Sequence, residues 1–129
     1  MFDNHPSLAG MATICRVLVR QDTADPMTPR VIEQLRRDLP TCNKAGTSPD
    51  FYYWYIGTLA MQFGAGIDSD GWREWSAAVR RVLLETQRGG DDCQRGSWGP
   101  WVRWGAEGGR VYTTTLGAMT LMQVRDHGR

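Results

Sequence analysis

Residues 110–125, RVYTTTLGAMTLMQVR, can be read in two ways. Val111 to Thr115 is a run of β-branched and aromatic side chains, which local propensity alone would place in a strand. A comparison within the chain points to a helix instead. Tyr55-Ile56-Gly57-Thr58-Leu59 lies over Tyr112-Thr113-Thr114-Thr115-Leu116 at an offset of 57 residues, and small residues follow in both places, at Ala60 and at Gly117-Ala118. The earlier copy belongs to FYYWYIGTLAMQFGAG, residues 51–66, which is apolar almost all round. Such a segment reads as a helix covered on most sides, with Gly57 and Ala60 leaving room for a close neighbour. Two copies of one unit, with the apolar stretch Leu8–Val19 as a third, predict that 110–125 is helical.

The rest of the chain fits around these segments. Leu8, Met11, Ala12, Cys15, Leu18 and Val19 recur at helical spacing behind His5-Pro6-Ser7, where Ser7 is placed to cap the first amides. Asp25-Pro26 interrupts the chain. Thr28-Pro29 then supplies a cap and a first-turn proline for a second helix, whose Val31, Ile32, Leu35 and Leu39 face one way and which Pro40 closes. Residues 41–50 are turn composition and end in another cap-then-proline signature, Ser48-Pro49-Asp50. Asp68-Ser69-Asp70-Gly71 offers acceptors for a fourth helix, where Trp72, Trp75, Val79, Val82, Leu83 and Thr86 form one stripe against Arg73, Glu74, Arg80, Arg81 and Glu85. Apolar inner helices thus alternate with amphipathic outer ones, about five in all, as in stacked helical hairpins. The expected fold class is all-α, a curved array.

Bulk properties narrow the function classes. Fifteen Lys plus Arg nearly cancel fourteen Asp plus Glu, so no net field favours nucleic acid or an anionic bilayer. Arg16 interrupts the first apolar stretch and no basic leader precedes it, which argues against a secretion signal or a membrane span. Three cysteines, Cys15, Cys42 and Cys93, lack paired spacing and fit a reducing compartment, with cytoplasm as the default. Cys42 and Cys93 both precede inner helices and are read as ordinary loop thiols.

The junction between the fourth and fifth helices carries a further signal. LLETQRGGDDCQRGSW, residues 83–98, continues through Trp101 and Trp104 to Arg110, and its aromatics predict a packed loop rather than a solvated linker. Gln87 followed by Gly96-Ser97-Trp98 resembles the Gln-Trp repeat of the terpene cyclase and protein prenyltransferase superfamily, the squalene-hopene cyclase-like proteins with the α/α-toroid fold. GGRVYTTTLGAM, residues 108–119, is similar to the start of that family's inner helices. The similarity runs from about Ser7 to Val124. It implies that the Gln87 side chain caps the following inner helix while Trp98 stacks on it, a clasp between hairpins. Asp91, Asp92 and Cys93 lengthen the spacing from Gln87 to Gly96, and the chain holds about half the inner helices of a complete toroid. The resemblance therefore implies a single repeat domain over residues 1–129, an incomplete ring that forms a half ring or the C-terminal part of a longer toroid.

Candidate chemistry is sparse. The DxDD acid motif of class II cyclases is absent; Asp68-Ser69-Asp70 is the nearest approach and suits helix capping. The zinc of the prenyltransferases needs Asp, Cys and His. Asp91 and Cys93 adjoin, but His5 and His127 sit at the chain ends and Thr113, Thr114 and Thr115 stand where a histidine is wanted, so neither a metal nor another cofactor is expected. No GxSxG, Walker loop, HExxH, dinucleotide fingerprint or thioester motif occurs, and no catalytic residue is assigned. The expected role is a non-catalytic binding or scaffold module. The alternative is an enzyme-derived domain that binds isoprenoids, with Tyr52, Tyr55, Thr58, Tyr112, Thr115 and Trp98 lining an apolar cleft. Core packing by the same aromatics is the competing explanation. An incomplete array leaves an apolar seam open, which predicts a homo-oligomer or docking onto another chain.

Overall fold

A computed structural model describes residues 5–21, 24–42 and 48–126 of the chain. His127 lies outside them. The helices are α1 (Pro6–Arg20), α2 (Met27–Arg37), α3 (Phe51–Ala60), which runs on as a π-helical segment (Met61–Ala65), α4 (Asp70–Thr86) and α5 (Gly105–Asp126). No strand occurs among the described residues, and Val111–Thr115 is helical. Tertiary packing overrides local propensity there, because Thr113, Gly117, Thr120 and Val124 form one buried side that a strand would scatter over two faces. Gly109 (φ 66°, ψ −169°) breaks α5, so its continuous part begins at Arg110.

Helices α1, α3 and α5 lie side by side, with α3 in the middle. A Cβ added at Gly10 would stand 3.2 Å from Ile56 and 3.5 Å from Ala60, while one at Gly64 would stand 3.1 Å from Thr13, so α1 and α3 run parallel. Helices α2 and α4 pack behind this row and antiparallel to it. The α4 residue Trp75 reaches Gly57, and Gly71, nearer the start of α4, meets Met61 at the far end of α3. The Trp75 ring lies so close that a Cβ on Gly57 would be 2.4 Å from it; the small residue predicted to admit a neighbour admits this indole. The core between the rows contains Trp54, Ile56, Met61, Trp75, Val79 and Leu83. Burying each such side chain contributes on the order of 1.5–3 kcal/mol.

Each inner helix also buries threonine. The hydroxyls of Thr13, Thr58 and Thr113 donate to the carbonyls of Ala9, Trp54 and Gly109, four residues back, at 3.1, 2.7 and 3.2 Å. Satisfied in this way, a hydroxyl is tolerated where water is excluded. The sequence offset of 57 pairs Gly57 with Thr114, but the glycine of α5 that receives an indole is Gly117, nearly one turn later.

The start signals are met unevenly. Ser69 caps α4 by accepting from the Trp72 amide (3.1 Å), as its position predicts. At α3 the cap is Asp50, whose carboxylate accepts from the Tyr53 amide (2.9 Å), rather than Ser48. At α1 the helix begins with Pro6, and neither Ser7 nor His5 makes a capping bond. At α2 Asp25 takes the Met27 amide (2.8 Å), the helix starts before Thr28, and Thr28 is carried into the interior. Aspartate wins because an ionised acceptor two residues ahead of an amide is stronger than a hydroxyl.

Charge is spread unevenly over the helices, with Arg16 and Arg20 on α1. Phe51–Ile67 and Val111–Val124 carry no charged side chain. The outer helices carry Arg and Glu at many positions and are joined by Arg36, which donates to both Glu74 carboxylate oxygens at 2.9 and 2.8 Å. Among the described residues no helix is long and apolar enough to cross a membrane.

Candidate functional site

The junction after α4 closes on itself. The Arg88 amide donates to the Ser97 carbonyl (2.9 Å) and the Gly96 amide to the Arg88 carbonyl (2.8 Å), while Gly90 and Gly96 take positive φ (94° and 81°), where a side chain would be strained. Gln87 Nε2 donates to the Gly96 carbonyl (2.8 Å). The amide therefore grips the closed loop instead of capping α5, because the residues between Gln87 and Gly96 fold into a ring that brings a carbonyl within its reach. Trp98 is buried at 2% exposure. Its indole N–H donates to the Leu83 carbonyl near the end of α4 (3.0 Å), and its ring lies against α5, where a Cβ on Gly117 would be 2.9 Å away. Its own amide donates to Thr114 Oγ1 (3.1 Å), and Arg110 donates to Ser97 Oγ (2.9 Å). Gln87, Gly96, Ser97 and Trp98 thus tie α4 to α5. The loop is packed only in part: Trp98 and Val102 are buried, but Trp101 and Trp104 are 47% and 53% exposed.

The six residues predicted to line a cleft divide between two sides of the inner row. Thr58 and Trp98 lie in the core with their polar atoms engaged; Thr58 Oγ1 accepts from the Trp75 indole N–H (2.9 Å). Tyr52 and Thr115 are exposed and Tyr55 is half-buried, on the opposite, open side. Tyr112 is half-buried at the α3–α5 seam, and burial first, then the charges of Asp50 and Tyr52, push its phenol above the ordinary value. A cleft of about 140 Å³ does exist at the N-terminal ends of α1 and α3, but it is lined by other residues, including Asp38, Asp50, Tyr53 and Arg103. Its polar groups serve the fold: Tyr53 donates to the Asp38 carbonyl (2.9 Å), and Asp50 pairs with Arg103 (3.8 Å) while capping α3.

The open side of the inner row is the more informative surface. In α1 the buried residues are Gly10, Thr13 and Ile14. The periodic stripe that the sequence marks as apolar points outward: Leu8 is 55%, Met11 36% and Leu18 55% exposed, and Cys15 is exposed as well. Flanked by α1 and α5 and backed by α4, α3 is open in one direction only. There it shows Tyr52, Tyr55, Leu59 and Phe63 at helical spacing, exposed or half-buried. On α5 the same pattern comes from Val111, Thr115, Met119 and Met122. Comparisons with protein families, curated proteins and solved structures find no match to this chain. The reading of the site therefore rests on its own geometry. The open face offers apolar surface with a few tyrosine and threonine hydroxyls, a composition suited to van der Waals recognition. Among the described residues no three His, Cys, Asp or Glu side chains gather as a metal site would require.

Proposed function

We propose that this chain is a non-catalytic helical-repeat module of the α/α-toroid type that acts as a binding or scaffold unit through the open face of α1, α3 and α5. One observation carries the proposal: the α1 stripe Leu8, Met11, Cys15 and Leu18 has the periodicity of a core-facing helix side, yet it stays exposed among the described residues. The alternation of inner and outer helices and the Gln87–Trp98 clasp support the toroid-like part of the reading.

A second reading has its own support. Tyr52 and Tyr55 share the open face with Leu59 and Phe63, a strip of ring and aliphatic surface along which an isoprenoid chain can lie. Sedimentation of the chain with and without a farnesyl analogue separates the two. Saturable, stoichiometric binding lost in Tyr55→Glu supports the isoprenoid reading; association indifferent to the analogue supports the scaffold. If the chain neither associates nor binds an apolar ligand, both readings fail.

A further inference from the structure

We infer that the occupant of the open face is a second copy of this chain, packed face to face through an isologous contact. The inference rests on reading that face as the binding surface and adds the identity of the partner. Area is the first argument. Three helices about 10 Å apart and about 15 residues long present a face on the order of 650 Å². A specific dimer buries roughly 600–1,000 Å² on each partner, so one copy of the face meets what a stable contact needs. It also reaches the upper limit, roughly 300–600 Å², of apolar patches that monomers leave bare.

Charge is the second argument. The segments of α3 and α5 that supply the face contain no charged side chain, whereas the outer helices are densely charged. A partner presenting charges to the centre of this face would bury them unpaired, which is strongly unfavourable. On these segments of α3 and α5 a second copy brings none, and of the two arginines on α1, Arg16 is already paired with Asp25 (3.4 Å) while Arg20 sits in the last turn. Its Leu18, Phe63 and Met122 are as apolar as the surface they meet, and the hydroxyls of Tyr52 and Thr115 supply a donor and an acceptor on both sides.

Two native cysteines report on the contact. Cys15 is exposed in the middle of the α1 stripe, and Cys93 is exposed in the loop on the far side of the clasp. The full chain is followed by sedimentation velocity from about 1 μM to about 1 mM, with iodoacetamide labelling of both thiols measured at each concentration. The expected result is a monomer–dimer equilibrium in which Cys15 labelling slows as dimer accumulates while Cys93 labelling does not. Leu18→Glu and Met122→Glu, both at well-exposed positions, should each weaken the dimer at least about tenfold. Leu84→Glu, an equally exposed leucine change on outer helix α4, should leave it unchanged. A dimer with constant Cys15 labelling and no response to the face variants overturns the inference. A monomer that still binds the farnesyl analogue or anionic vesicles through the face overturns the choice of partner alone. A monomer that binds neither overturns the underlying reading as well.

Discussion

Trp75 and Trp98 solve the same packing problem from different starting points. Each lays its indole on a glycine of an inner helix, Gly57 for Trp75 and Gly117 for Trp98, and each satisfies its N–H inside the core. Trp75 projects from the regular helix α4 and donates to Thr58, a side chain of the helix it covers. Trp98 arrives from a loop and donates to the Leu83 carbonyl, so it bonds backward to α4 while packing forward on α5. The first tryptophan joins two helices; the second also anchors the chain between them. A loop can therefore do a helix's packing work once its own backbone is closed, which is what Gln87, Gly90 and Gly96 provide.

The largest expected effect tests whether the two sites are energetically equivalent. Trp75→Ala should destabilise the chain by about 3–5 kcal/mol and Trp98→Ala by about 3 kcal/mol, measured by urea unfolding. Amide exchange should rise throughout after Trp75→Ala but first in α5 and the 88–104 loop after Trp98→Ala. Identical exchange patterns would erase the distinction. Next come the receiving glycines. Gly57→Ala forces a Cβ to 2.4 Å from its indole and should cost about 2–3 kcal/mol, whereas Gly117→Ala, at 2.9 Å, should cost about 1–2 kcal/mol.

Hydrogen bonding sharpens the comparison further. Thr58→Val leaves the buried Trp75 N–H without an acceptor and should cost about 1–3 kcal/mol, with Thr58→Ser restoring most of it. The Trp98 bond ends on backbone and offers no such variant; its indirect support is Gln87. Gln87→Ala should cost about 0.5–1.5 kcal/mol, seen as a lower thermal midpoint and faster labelling of Cys93.

The smallest effect concerns the exposed link between the outer helices. The hydrogen bond from Arg36, ahead of its charge, holds the Glu74 carboxyl below the ordinary 4.5. Because the folded value is depressed, this stabilisation is present above 4.5 and is lost as the pH falls through the folded value beneath it. Arg36→Ala should flatten the acid limb of a stability-versus-pH curve and leave the neutral region nearly unchanged. An unchanged acid limb would show that the pair contributes nothing in solution.

Local chemistry made much of the fold legible. Ser69 before Trp72 reads as a cap and is one, and the stripe Trp72, Trp75, Val79, Val82, Leu83 and Thr86 reads as the covered side of α4 and is buried up to Leu83, with Thr86 half-buried. The internal likeness of 55–59 to 112–116 identified α5 as a helix against its β-branched composition. Where two local signals competed, at Asp25 and Thr28, spacing alone did not rank them, because the outcome depends on the relative strength of a carboxylate and a hydroxyl as acceptors. The candidate site was legible in part. Tyr52 and Tyr55 on α3 and Thr115 on α5 are exposed or half-buried, but Thr58 and Trp98 lie in the core, bonded to Trp75 and Leu83.

By itself the amino-acid sequence determined that the described part of this protein is all-helical, roughly where its helices lie, and that α4 is amphipathic, since these properties depend on contacts within a few residues. Only the tertiary structure decided which way each stripe faces. On α1, glycine and threonine proved the better fit against the close-packed Ile56, Ala60 and Gly64, and the larger Leu8, Met11 and Leu18 were turned outward. Periodicity records that a helix has an apolar side; the width of the gap beside its neighbour selects the side that is buried.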